Sequence, residues 1–136
     1  MLIPHSLTLL EKDDLICVAD RENRRILCYS AGIDDQAPGK LMFNVGHEAL
    51  GRVFAIDHVG DMILAVNGPE VEEKNDNLPT GVTLDLATER LINAWAPRSG
   101  HFSDPHDIAV AGDQRSFFVS DIGKDAEKKV YKFNIV

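Results

Sequence analysis

The feature that most constrains this chain is a motif that occurs twice. Pro4-His5-Ser6-Leu7-Thr8-Leu9 leads to Cys17-Val18-Ala19-Asp20, and Pro105-His106-Asp107-Ile108-Ala109-Val110 leads to Phe118-Val119-Ser120-Asp121. The His-to-Asp interval is 15 residues in both copies, which lie 101 residues apart. Midway between them Val53-Phe54-Ala55-Ile56 leads to Leu64-Ala65-Val66-Asn67, so the underlying period is about 50 residues. Repeats of that length have to be small units that bury a face against their neighbours.

Strand signals fill the units: short apolar or β-branched runs bounded by Gly, Asp, Asn or Pro. They fall at residues 6–10, 15–19, 25–30, 40–44, 53–58, 62–67, 81–85, 91–96, 107–111, 116–121 and 129–135. The one plausible helical stretch is Leu86 to Arg90. An all-β chain with four short strands per repeat of about 50 residues reads as a partial β-propeller. A β-sandwich also spaces its strands evenly, but gives no reason for a His-Asp interval recurring at twice the unit length. The expected organisation is a single domain with blades at 1–50 and 51–100 and an incomplete blade at 101–136. Eleven strands make two full blades and three strands of a third, too few to close a ring. The chain is therefore expected to be a fragment of a longer protein, a paired half, or a product prone to aggregate.

Composition narrows the partners. A formal charge of −8 argues against nucleic acid, because phosphate binding needs a basic surface. Acidic runs at Asp34-Asp35 and Glu70 to Asp76 read as solvated loops. The longest apolar runs, such as Leu15 to Ala19, last about five residues, against the ~20 of a membrane helix. No transmembrane segment is expected, and the start lacks the basic and apolar regions of a signal peptide.

The only two cysteines, Cys17 and Cys28, fall on consecutive strands. A hairpin folded about Glu22-Asn23 puts them opposite one another, within reach of a bond after a modest twist. The alternative is a pair of buried thiols. A disulfide would point to an oxidising compartment.

Taken together, these segments resemble the peptidyl-α-hydroxyglycine α-amidating lyases, whose lyase domain is a six-bladed propeller of NHL-type repeats. The likeness rests on Pro4-His5-Ser6-Leu7, Cys17-Val18-Ala19-Asp20-Arg21-Glu22-Asn23, Arg25-Ile26 followed by Cys28, Gly51-Arg52 with Val53-Phe54-Ala55-Ile56, Ala65-Val66-Asn67-Gly68 and Pro105-His106-Asp107-Ile108. It covers about the C-terminal half of the family domain, or three of six blades.

The resemblance implies a zinc-dependent lyase that cleaves a peptidyl-α-hydroxyglycine into glyoxylate and the α-amidated peptide. It implies that His5 and His106 are two of three zinc ligands, that Arg21 engages substrate, and that Asp107 helps bind a structural calcium. It pairs Cys17 with Cys28 and places the protein in the secretory pathway or outside the cell. The third zinc histidine, a catalytic tyrosine and a further arginine belong to upstream blades, so activity requires a missing upstream propeller half or a second chain. The family commonly has methionine where this chain has Asp104, which sets a carboxylate beside the expected site. His47, His58 and His101 have no matched partner and read as surface or structural, and Tyr29 and Tyr131 lie on third strands away from the axis. The competing reading is a non-catalytic NHL-repeat interaction module.

Overall fold

The computed structural model describes residues 1–34, 37–71, 78–124, 126 and 128–136. Asp35 and residues 72–76, parts of the two acidic runs, lie outside the described residues.

Among the described residues, eleven strands form three antiparallel meanders. The first sheet holds β1 (Pro4–Leu10), β2 (Leu15–Asp20), β3 (Arg25–Ser30) and β4 (Leu41–Gly46). The second holds β5 (Val53–Val59), β6 (Met62–Asn67), β7 (Gly81–Asp85) and β8 (Arg90–Trp95). The third holds β9 (Pro105–Val110), β10 (Ser116–Asp121) and β11 (Val130–Asn134). Each sheet keeps sequence order across its width. The innermost strands β1, β5 and β9 lie side by side, and this is the arrangement of consecutive propeller blades.

Side-chain patterning explains the stacking. The middle sheet is covered on both faces, so its strands read as continuous apolar runs: Val53 to Ile56, Ile63 to Val66 and Gly81 to Leu84 are all buried. The first sheet alternates instead. Leu10, Leu15, Cys17, Ala19, Ile26 and Cys28 face the middle sheet, whereas Leu7 and Leu9 on the outward face stay exposed. The core between the first two sheets is therefore aliphatic. The core between the second and third is aromatic, with Phe102, Phe117, Trp95 and Phe133 packed together.

Cross-blade hydrogen bonds fix the inner strands against each other. Ile56 N–H donates to Ser6 Oγ at 3.2 Å, Thr8 Oγ1 donates to Asp57 Oδ1 at 3.0 Å, and Val110 N–H donates to Asp57 Oδ2 at 2.7 Å. Asp57 thus ties all three inner strands.

The helical expectation for Leu86 to Arg90 is overturned: the segment is the turn joining β7 to β8. Asp85 pairs directly with Arg90, and Asp85 Oδ1 accepts the Thr88 N–H at 3.1 Å. The strands pair up to the turn, leaving too few residues to nucleate a helix.

Candidate functional site

Strand pairing brings the repeated histidines together. Pro4 pairs with Asp20 and Ser6 with Ala19, so His5 is an extra residue in β1. In β5 Val53 pairs with Asn67 and Ala55 with Val66, which leaves Phe54 as the extra residue. In β9 Pro105 pairs with Asp121 and Asp107 with Ser120, leaving His106. A bulge re-aims the side chain of the extra residue. Three bulges at equivalent places aim His5, Phe54 and His106 at one another. The His5 and His106 ring centroids are 5.4 Å apart, edge to face, and Phe54 lies 5.0 Å from the first and 5.9 Å from the second. Proline suits the strand start, where no ladder donor is lost.

The recurring aspartate explains the 15-residue interval. Asp20, fully buried at the end of β2, accepts from Leu2 N–H at 2.6 Å, Asn23 Nδ2 at 2.9 Å and Arg25 Nε at 2.8 Å. Asp121, at the end of β10, accepts from Ser103, Asp104 and Gly123 N–H groups at 2.8–2.9 Å. Each carboxylate therefore holds the segment that enters the strand carrying the histidine. Asn67 does the same with an amide, accepting from Thr80 N–H at 2.7 Å and donating to Ala49 O at 3.1 Å. Burial pushes the Asp20 carboxyl up, but the bonds from Asn23, Leu2 and Arg25 outweigh it and hold the group below the usual aspartate range.

Arg21 follows β2 and stacks on the Phe54 ring, its Cζ 4.9 Å from the centroid. Arg52 covers the same ring at 5.4 Å. Glu22 lies between the two cations, with Oε1 accepting from Arg21 Nε at 2.7 Å and from Arg52 Nη2 at 2.6 Å. The Arg52 bond, reinforced by Arg21, holds the Glu22 carboxyl below the usual glutamate range against the opposing effect of burial. Gly68 packs on the ring, because a Cβ there would fall 2.3 Å from Phe54 Cε2. Phe54, Glu22 and Arg52 were not singled out as site residues from sequence. Aligning the middle repeat on the other two puts Phe54 in the histidine position, and that is the signal that finds it.

The donor set suits a borderline metal in part. His5 Nδ1 donates to Phe54 O at 2.6 Å, which fixes the ring and leaves Nε2 as the free basic nitrogen. His106 is exposed beside it. Among the described residues no group of three or more His, Cys, Asp or Glu has metal-binding geometry. Asp107 is exposed and its Oδ1 accepts from Ile108 N–H at 2.9 Å. Asp104 enters β9 with one buried oxygen, Oδ1, lacking a hydrogen-bond partner among the described residues. His58 contacts Thr8 Oγ1 through Nδ1 at 3.0 Å, and His47 Nδ1 accepts from Ala49 N–H at 3.0 Å, both away from the histidine pair. Tyr29 and Tyr131 lie on β3 and β11.

Cys17 and Cys28 form a disulfide, with S–S 2.01 Å and Cα–Cα 4.0 Å, as a directly opposed pair of β2 and β3. Both are fully buried in the aliphatic core. Closing a loop of this length contributes about 3 kcal/mol. The bridge stiffens the hairpin that carries Arg21 and Glu22.

Comparison with known proteins agrees with this layout. The NHL repeat pattern matches residues 2–29, which span β1 to β3. The chain is 38% identical over 134 residues to Peptidyl-alpha-hydroxyglycine alpha-amidating lyase 2 of Drosophila melanogaster, covering 96% of this chain and 31% of the fly protein. It is 36% identical over 135 residues to Peptidyl-glycine alpha-amidating monooxygenase B of Xenopus laevis, covering 97% of this chain and 14% of the frog protein. The chain thus spans less than a third of the length of either relative. Among solved structures, Kuenenia stuttgartiensis Hydrazine Synthase shares the fold with a TM-score of 0.69 at 8% identity, over 96% of this chain and 34% of that one. By sequence the chain is a homologue of one stretch of the peptidyl-alpha-hydroxyglycine alpha-amidating lyases and the related amidating monooxygenases, with an NHL repeat in its first sheet.

Proposed function

We propose that this chain is part of a zinc-dependent lyase that converts a peptidyl-α-hydroxyglycine to the α-amidated peptide and glyoxylate. The observation that carries the reading is the convergence of His5 and His106 from equivalent bulges, rings 5.4 Å apart. His5 and His106 would supply two zinc ligands, and a residue from outside this chain the rest of the shell. Bound there, zinc supplies Lewis acidity to a substrate oxygen.

The chain's own residues then divide the remaining work. His5, oriented by the Phe54 carbonyl, presents Nε2 in a fixed direction. Arg21 engages the substrate carboxylate with a planar fork. Phe54 and the two stacked guanidinium groups exclude water from one wall of the site. The reaction breaks the bond between the amide nitrogen and the hydroxylated carbon. The hydroxyl proton leaves, its oxygen becomes the aldehyde of glyoxylate, and the departing nitrogen takes up a proton. Asp107 would be one of several oxygen ligands to a structural calcium in this reading. The blades at 1–50, 51–100 and 101–136 are half of a six-bladed ring completed by an upstream half or a second chain. The Cys17–Cys28 disulfide supports a secretory or extracellular setting.

Zinc content and glyoxylate release from a hydroxyglycine-extended peptide, compared between a full-length version that includes the upstream blades and its His106→Ala variant, test the proposal. Loss of both in the variant is expected, and unchanged values overturn the assignment of His106. The second reading, a non-catalytic NHL-type module, is favoured by the two-histidine donor set among the described residues. A full-length version that binds no zinc and releases no glyoxylate decides for it.

A further inference from the structure

The site contains a charged group that the proposed reaction does not use. Glu22 lies between two guanidinium groups that share one aromatic face. Arg52 is engaged on every nitrogen: Nε approaches both Glu22 oxygens at 3.2 Å, Nη2 donates to Oε1 at 2.6 Å, and Nη1 donates to Pro69 O at 2.7 Å. Arg21 is engaged only at Nε, by Glu22 at 2.7 Å, and its two terminal nitrogens donate to nothing among the described residues. Both arginine side chains are largely buried, at 16% and 13% exposure, and Glu22 is at 21%. Two cations this close over one ring would repel each other without the carboxylate between them.

We propose that Glu22, locked by Arg52, is a positioning residue that holds Arg21 against Phe54 with both terminal nitrogens free for a ligand carboxylate. The inference rests on the reading of Arg21 as the carboxylate-engaging residue. Its chemistry follows from the asymmetry between the arginines. A guanidinium that gives Nε to one carboxylate still presents its two terminal N–H groups as a fork to another. Arg52 already spends both terminal nitrogens, one on Glu22 and one on Pro69. It anchors Glu22 to the Pro69 carbonyl just after β6, and Gly68 lets the ring beneath lie flush. The arrangement selects a small planar anion over a neutral group of the same shape.

The test uses the full 136-residue chain and two stable probes, N-acetyl-phenylalanylglycine and its C-terminal amide. Affinity is measured by isothermal titration calorimetry for every variant, and the Arg21 Nε–H resonance is followed in 15N–1H spectra of those that keep Arg21. The wild type is expected to prefer the acid, with Arg21→Ala abolishing the preference. Glu22→Gln should weaken acid binding about tenfold and Arg52→Lys about threefold, with amide binding unchanged in both. The Arg21 Nε–H signal, protected in the wild type, should exchange faster in Glu22→Gln. A merely structural role would weaken both probes alike and so overturns the proposal. If Glu22→Gln binds the acid like the wild type while Arg21→Ala does not, the positioning role is overturned and the role of Arg21 stands. If Arg21→Ala also binds like the wild type, the underlying reading of Arg21 falls as well. Should Glu22→Gln fail to fold, Arg52→Lys decides: unchanged acid affinity and an unchanged Arg21 Nε–H signal overturn the proposal.

Discussion

The first and third blades present the same histidine from the same bulge, yet they hold it in different ways. In the first blade Asp20 draws on side chains, Asn23 and Arg25, and on one backbone N–H from Leu2. In the third, among the described residues, Asp121 draws on backbone alone, from Ser103, Asp104 and Gly123. One anchor depends on charged partners and the other on close approach of the main chain. The repeat therefore conserves a geometry and leaves its chemistry free.

Breaking the backbone-only anchor should have the largest effect. Asp121→Ala strands three N–H groups at once, that of Gly123 buried and those of Ser103 and Asp104 partly so, and each bond to a charged acceptor is worth about 1.5–3 kcal/mol. Urea unfolding is expected to show a loss of about 4 kcal/mol, with the His106 ring signals shifting more than those of His5. A Cβ at Gly123 would lie 2.0 Å from Ser103 Oγ and 2.9 Å from Asp104 N, so Gly123→Ala should cost about 2 kcal/mol by forcing that segment away. Glu22, the corresponding second residue after Asp20, already carries a side chain, so the first blade has no equivalent close approach to break.

The smallest effect sharpens the comparison through pH. The Asp20 carboxyl is held below the usual aspartate range in the folded chain. Its contribution is therefore complete above that range and is lost as pH falls through the lower folded value. Glu22 contributes in the same direction. Acid unfolding of Asp20→Asn should show a flatter acid limb than the wild type, with a residual slope from Glu22. An unchanged limb would mean that Asn23 and Arg25 do not favour the charged form.

Strand positions were legible because each run is short, apolar and bounded by turn residues. All eleven observed strands overlap the expected ones. The helical stretch at Leu86 to Arg90 misled because Leu86, Ala87 and Glu89 favour helix individually. The Asp85–Arg90 pairing wins over local preference. The histidine pair was visible because its spacing repeats. Phe54 was hidden by a shorter hairpin: β5 and β6 are joined through Gly60-Asp61, whereas four residues separate β1 from β2. The Phe54-to-Asn67 interval is therefore 13 residues (67 minus 54), and a search for 15 passes over it. Glu22 and Arg52 lie 30 residues apart and meet only when the first two sheets stack, so no local pattern announces them.

The central claim is that His5 and His106 act as one site. The direct measurement is an imidazole 15N spectrum of the labelled chain titrated with zinc chloride. The account predicts that the Nε2 signals of His5 and His106 shift together while His5 Nδ1 stays protonated, with His47, His58 and His101 unmoved. A zinc response that omits either His5 or His106, or that is shared equally by all five histidines, would contradict it.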